Sequence, residues 1–299
     1  MRVEEISIEL AHATLAAKAW GDRDRPPVLA LHGWLDNAGS FDGLAPLLAT
    51  DNYVVAIDLR GHGRSSHRPV DGWYHYVDYF DDLRWVLDHF GWARARLLGH
   101  SLGGTLASLF AALYPERVDS LLLIEALGPL TLPPERALDQ LRRALDQRAG
   151  FSERKPLRIF PTIDAAIAVR MMASEFSEKA ARAIVERGTR AVDGGFVWSS
   201  DPRLTLASPQ RYTEEQLLAM LKGLRAPTLL VLADPATSYL PSAMMEARAA
   251  EVSDIDIVRL PGGHHLHLDE PERVLEAIRA YENRRRSADR DIAGISRRG

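Results

Sequence analysis

The stretch Leu97-Leu98-Gly99-His100-Ser101-Leu102-Gly103-Gly104, backed by an apolar run over residues 105–113, leaves this chain few folds to choose from. It carries a Gly-x-Ser-x-Gly pattern between a short apolar strand and an apolar helix. A serine so placed sits on a tight, strained strand-to-helix turn, and the flanking glycines let neighbouring backbone come close. The Ser101 hydroxyl is therefore expected above the edge of a sheet. The following helix points its free N–H groups at the same spot, so negative charge forming beside Ser101 is stabilised by the Leu102 amide and the helix dipole.

Such a pentapeptide arises by chance in roughly one chain in ten of this length, so its meaning depends on what surrounds it. An α/β rhythm does. Residues 6–10 and 14–20 suit an opening hairpin. Residues 28–31 form a short continuous apolar run of the kind buried on both faces of a parallel sheet, leading into His32-Gly33-Trp34. The glycine there lets the chain turn over the sheet, so that the Trp34 amide can face a reacting oxygen. A short helix over 40–48 and a strand over 53–57 follow. Asp58, His62 and Ser65, in the glycine-rich loop of residues 58–66, read as hydrogen-bonding groups that hold the loop. A helix over 76–90 buries Tyr76, Phe80, Leu83, Leu87 and Phe90 on one face. A strand over 96–98, the serine turn and a helix over 102–114 make the next unit. The strand over 120–124 delivers Glu125 at its C-terminal edge, where open α/β sheets place their ligands.

After Gly128-Pro129 the strand rhythm stops for about ninety residues. Helices are expected over 134–147, 163–173, 178–190 and 214–222, forming an inserted cap. Phe151, Phe160, Met171, Met172, Phe176, Phe196 and Trp198 are candidates to line a pocket beneath it, two or three of them doing so and the rest forming the cap's own core. The turn at residues 198–203 is a candidate to hold cap against sheet. The rhythm resumes with strands over 228–232 and 255–260, then Gly262-Gly263-His264-His265-Leu266-His267-Leu268-Asp269-Glu270-Pro271, and a closing helix over 272–286. Three histidines in four positions raise the question of a metal, but a zinc site would need them to converge with a fourth ligand and an extended His-His-x-His points neighbours apart, so no metal is expected.

Composition narrows the function classes. A formal charge of −4, with signs interspersed, offers no general attraction to nucleic acid or an anionic membrane surface. Without cysteine, disulfides, thiolate nucleophiles and thiol redox chemistry are excluded. The first residues, Met1-Arg2-Val3-Glu4-Glu5, do not read as a signal peptide, and no apolar stretch of about 18 residues occurs, so a cytoplasmic location is expected.

From about residue 5 to 286 the chain resembles the α/β-hydrolase superfamily, and within it serine hydrolase-like proteins and small capped bacterial esterases. The resemblance rests on the order of parts: His32 to Trp34, the Asp58 to Ser65 loop, the serine turn at Ser101, and Gly263-His264 through Asp269 to Pro271. It implies a mostly parallel eight-stranded sheet with helices on both faces, residues 1–128 and 225–286 forming the core, 129–224 a helical cap and 287–299 a flexible tail. It also implies Ser101 as nucleophile, His264 as base, and the Trp34 and Leu102 amides as oxyanion hole. His265 and His267 are carried as loop residues, and His100 packs or hydrogen-bonds.

The acid that orients His264 has two candidates. One is Glu125, at the end of the strand before the cap, the placement seen in haloalkane dehalogenases; the other is Asp234, after the strand over 228–232, which falls two residues short of the family's usual position. Glu125 is preferred. The expected function is hydrolysis of carboxylic esters with small to medium acyl groups through an acyl-enzyme, with no cofactor. Alternatives on the same machinery are thioester or carbon–carbon bond hydrolysis or cofactor-free perhydrolysis. A third reading is a non-catalytic binding protein on this fold, which would have no need of the Ser101 and His264 geometry.

Overall fold

A computed structural model describes residues 2–151, 157–173 and 176–296, with residues 288–296 described by backbone alone. Among the described residues there are ten strands: β1 (Glu4–Leu10), β2 (Ala13–Trp20), β3 (Pro27–Leu31), β4 (Tyr53–Ile57), β5 (Ala95–His100), β6 (Val118–Ile124), β7 (Thr189–Val192), β8 (Gly195–Trp198), β9 (Thr228–Asp234) and β10 (Ile255–Pro261). Eight of them form one sheet in the order β1-β2-β4-β3-β5-β6-β9-β10. The pairs β1–β2 and β2–β4 are antiparallel, and from β4 to β10 the strands run parallel. This is the α/β-hydrolase arrangement, with its helices α1 (Ala45–Leu48), α2 (Tyr76–His89), α3 (Leu102–Leu113), α4 (Ala137–Ala149), α5 (Ile163–Ala173), α6 (Glu178–Gly188), α7 (Glu214–Leu221), α8 (Ser242–Ala249), α9 (Leu266–Asp269) and α10 (Pro271–Ser296).

The side-chain alternation of the strands builds two cores, one on each face of the sheet. Leu29, Leu31, Leu97, Leu121 and Leu123 face α2, α3 and α8, against Leu83, Leu106, Phe110 and Met245. Val28, Ala30, Leu98 and Leu122 face the opposite way, onto Leu48 of α1 and Val274 and Ile278 of α10. Because both faces are covered, β3 and β4 read as continuous apolar runs, and each fully buried Leu or Val contributes roughly 1.5–3 kcal/mol of transfer free energy. The chain leaves β3 toward β4 on one side and reaches β5 on the other, opening a crevice at the strand C-termini.

The segment between β6 and β9 adds no strand to this sheet. It carries α4 to α7 and a small core of Phe160, Ala166, Ile167, Ala181 and Val185, with Phe176 and Trp198 packed against it. The helix expected over 178–190 ends at Gly188, and the chain enters the antiparallel β7–β8 hairpin instead. Asp193-Gly194-Gly195 explains the departure: both glycines have positive φ, +83° and +143°, and Asp-Gly is a strong hairpin signal that the helical periodicity masked. The helix expected over 40–48 is likewise broken, into a 3-10 turn at Ala38–Phe41 and α1.

Polar contacts fasten this segment to the sheet. Arg187 of α6 donates through Nε to Asp58 at 2.8 Å and through a terminal nitrogen to Glu5 at 2.7 Å. Asn37 donates to the Ile184 carbonyl at 2.8 Å. The Asp201 amide donates to the Gly61 carbonyl and the Tyr74 hydroxyl to the Asp201 carboxylate, so the turn at residues 198–203 meets the loop after β4. Asp58 and Ser65 brace that loop from within: Asp58 accepts from the Ala38 and Arg64 amides, and Ser65 accepts from Ala16 N and donates to the Asp58 carbonyl. At the C-terminus α10 continues to Ser296, through much of the stretch read as a tail, and residues 297–299 of that stretch lie outside the described residues.

Candidate active site

Strand β5 ends at His100, and Ser101 follows with φ +49° and ψ −112°, a backbone conformation outside the regions that side-chain-bearing residues prefer. The turn is held from both sides, by the Ser101 amide on the Ile124 carbonyl at 3.0 Å and the Gly103 amide on the His32 carbonyl at 3.0 Å. Glycine is obligatory at position 103, because a Cβ there would lie 1.9 Å from the Leu31 carbonyl oxygen. Among the described residues, neither the Leu102 nor the Trp34 amide donates to a protein acceptor. The Trp34 side chain, half exposed, donates from its indole nitrogen to the Leu204 carbonyl at 3.0 Å.

Glu125 leaves the end of β6 at φ +55°, 2% exposed, with its amide on the Val231 carbonyl at 2.9 Å. One carboxylate oxygen accepts from the Ala233 amide at 2.6 Å; the other accepts from His264 Nδ1 at 3.1 Å and from the Thr237 hydroxyl at 3.4 Å. Asp234 has a different place. It is exposed at the end of β9, and its carbonyl oxygen accepts from the Gly262 amide at 3.2 Å, fastening the loop that bears His264. Of the two carboxylates, Glu125 is the one at hydrogen-bonding distance from His264.

Behind His264 lies a packed group of buried histidines. His100 donates from Nε2 to the His264 carbonyl at 2.8 Å, since a carbonyl can only accept, which leaves its Nδ1 without a proton in the neutral ring. Its ring centroid is 4.8 Å from that of His264, 5.2 Å from His265 and 4.1 Å from His267. The His-His-x-His stretch is thus not extended: the single turn of α9 folds Leu266 to Asp269 back, buries His267 completely and hydrogen-bonds its Nε2 to the Ser40 hydroxyl at 2.7 Å. Burial depresses these rings, His265 to about 4 and His267 to about 3, and holds His100 well below the usual histidine range. All three stay neutral. Among the described residues, no group of three or more His, Asp or Glu is disposed to hold a metal ion.

Two contacts here carry no sequence signal. Arg170 of α5 donates to the buried Asp36 at 2.6 Å; burial alone would raise the Asp36 carboxyl, but the Arg170 charge and neighbouring histidines outweigh it and the group lies below the usual carboxylate range. Tyr239, in the loop after β9, sets its ring edge-on to His264 with centroids 5.2 Å apart. Both pairs join segments distant in the chain, so neither spacing nor composition announces them.

Ser101, His264, Glu125, Trp34 and Leu102 all line one cavity of about 1280 Å³ at the C-terminal edge of the sheet. Of the aromatic and methionine candidates for lining, Met171 and Met172 reach it, while Phe160, Phe176 and Trp198 pack into the segment's own core. A serine in a strained turn, a histidine anchored on a buried carboxylate and two unengaged amides form a set of groups suited to acyl transfer.

Comparison with known proteins bears on the fold and the family. The chain matches the α/β hydrolase fold family over residues 26–271. It is 34% identical over 283 residues to a serine hydrolase-like protein of Danio rerio, covering 92% of this chain and 86% of that one. A crystal structure of a hypothetical protein of Pseudomonas aeruginosa PAO1 superposes with a TM-score of 0.86 at 39% identity, over 92% of this chain and 97% of that one. The thioesterase domain from the curacin biosynthetic pathway superposes with a TM-score of 0.79 at 28% identity, over 93% and 100%. No helix among the described residues is long and apolar enough to cross a membrane.

Proposed function

Starting from the premise that the chain belongs to the α/β-hydrolase fold family and is a hydrolase of the serine hydrolase-like kind, we propose that it cleaves carboxylic esters of small to medium acyl groups through Ser101, His264 and Glu125. The observation that carries this reading is the 3.1 Å hydrogen bond from His264 Nδ1 to the buried Glu125 carboxylate, in the cavity that Ser101 also lines. With its proton on Nδ1, the His264 ring presents an unprotonated Nε2. That nitrogen takes the Ser101 proton as the hydroxyl oxygen attacks the acyl carbon. The oxyanion settles against the Leu102 and Trp34 amides, and collapse expels the alcohol, which takes its proton from His264. Water, deprotonated by His264 in turn, attacks the acyl-enzyme and releases the acid.

Residues 129–224 act in this reading as a cap over residues 1–128 and 225–286, closing the cavity and selecting the acyl group. The fold by itself does not choose the bond to be cleaved, and the test therefore spans more than one class. A fluorophosphonate probe should add one adduct by intact mass, and p-nitrophenyl esters from acetate to decanoate should be turned over alongside acyl thioesters. Ser101→Ala should lose both labelling and turnover. A folded, unlabelled native protein overturns the assignment, and turnover of thioesters alone moves the substrate from oxygen esters to sulfur esters.

A further inference from the structure

The part of the cavity formed by the segment between β6 and β9 has a charge imbalance that cleavage of a neutral ester leaves unused. Four arginines line the cavity, Arg143, Arg170, Arg203 and Arg211, against two carboxylates, Asp36 and Glu125. Both carboxylates are engaged, Asp36 by Arg170 and Glu125 by His264. Arg203 is held by Asp201 and by the carbonyls of Arg68 and Pro69. Arg143 and Arg211 remain, with no carboxylate within ion-pairing distance among the described residues.

Their placement is built. Gln140, Arg143 and Gln147 recur on α4 at spacings of three and four, so they share a face. The two glutamines bind the loop before α7, Gln140 donating to the Ser208 carbonyl at 2.6 Å and Gln147 accepting from the Ala207 amide at 2.8 Å. These bonds bring α4, with the exposed Arg143, alongside the loop that carries the exposed Arg211, and both residues line the cavity. Trp73 and Tyr76 line the same cavity, the Trp73 ring lying under the Arg148 guanidinium of α4 at 4.4 Å. A cavity with two guanidinium groups in excess suits a substrate that carries an anion away from its scissile bond.

We infer that Arg143 and Arg211 bind an anionic group, carboxylate or phosphate, on the substrate hydrolysed at Ser101. The inference rests on the proposed hydrolase reading of the same cavity. Carboxylate and phosphate share the chemistry that a guanidinium recognises, and they would reach the site from different parts of a substrate: a carboxylate at the far end of the acyl chain, a phosphate on the leaving group.

Matched pairs test it. Mono-4-nitrophenyl glutarate is compared with its neutral methyl ester, and butyryl-coenzyme A with butyryl-N-acetylcysteamine, reading kcat/KM for each. The anionic member of one pair should be preferred by at least about tenfold at low salt, the two arginines being exposed enough to give about three- to tenfold each. The preference should shrink as ionic strength rises. Arg143→Gln with Arg211→Gln should bring the ratio toward one through KM, and Arg143→Lys with Arg211→Lys should keep most of it. Preference in the glutarate pair assigns a carboxylated acyl group, and preference in the thioester pair a phosphorylated leaving group. Equal rates within both pairs, or a ratio unmoved by the double glutamine variant, overturn the inference while leaving the hydrolase reading intact; no turnover of any of the four overturns the hydrolase reading itself.

Discussion

Replacing Glu125 by glutamine changes one oxygen to an NH₂ group and almost nothing else, so the consequences can be worked through atom by atom. The carboxylate accepts from the Ala233 amide at 2.6 Å on one side and from His264 Nδ1 at 3.1 Å on the other. Glutamine has one acceptor to offer. Turning its NH₂ toward Ala233 would oppose two donors at the shorter distance, so the amide oxygen stays on Ala233 and the NH₂ faces His264. The ring must then accept at Nδ1 and carry its proton on Nε2, which leaves no lone pair to take the Ser101 proton. Loss of the charge-assisted bond alone is worth about 1.5–3 kcal/mol, roughly ten- to a hundredfold in rate. Inverting the tautomer costs more, and acid-to-amide exchange in a Ser-His-Asp enzyme lowers kcat about 10⁴-fold. Glu125→Gln should therefore lower kcat on a p-nitrophenyl ester by at least about a hundredfold, with circular dichroism and the melting profile near those of the parent. Asp234→Asn keeps the backbone carbonyl that receives the Gly262 amide and should stay within about tenfold of the parent. If Asp234→Asn were the crippling change and Glu125→Gln kept more than about a tenth of the activity, the reasoning would be refuted and the acid would be Asp234.

Three further outcomes follow from the same structure. Ser101→Gly should raise stability by about 1 kcal/mol while Ser101→Ala leaves it unchanged, because glycine alone relaxes the positive φ; denaturant midpoints at constant m-value decide this. Buried histidines held neutral at about 4 (His32, His265) and about 3 (His62, His267) take up no proton as the pH falls through 6.5, whereas the unfolded chain does. Stability should therefore fall from pH 6.5 downward, each ring adding up to about 1.4 kcal/mol per pH unit until its folded value is reached, and His267→Gln should flatten melting-temperature profiles between pH 6 and 4; an equally steep profile in that variant would contradict the assignment. Arg170→Met strands the Asp36 carboxylate in the interior and should cost about 3 kcal/mol in urea unfolding, of which the added change Asp36→Asn recovers at least about 1 kcal/mol.

The backbone of this fold was legible in the chain because its signals are local. Residues 28–31 and 53–57 are apolar runs on strands covered on both faces, and Gly99 and Gly103 stand where an added Cβ would strike neighbouring backbone at 2.5 and 1.9 Å. Ser101 was named from its glycine-flanked turn and Glu125 from its place at a strand end, where open α/β sheets put their ligands, whereas His264 and Asp234 were named through the resemblance to the α/β-hydrolase superfamily. Local signals also failed where they competed, as at Asp193-Gly194-Gly195, where a hairpin interrupts a helical pattern.

Tertiary structure alone decided the rest. Whether His264 Nδ1 meets Glu125 or Asp234 depends on how β9 and β10 are aligned, a register in which Pro261 pairs with Asp234 and the next residues turn back over the end of β6. A shift of a few ångströms would change that partner, and nothing within either strand encodes a distance between them. The contacts of Arg170 with Asp36, of His100 with the His264 carbonyl, and of Gln140 with the Ser208 carbonyl join residues between 68 and 164 positions apart. Side-chain type and spacing are properties of one segment. Charge compensation, tautomer and burial are properties of the place where several segments meet, and they exist only once the chain has folded.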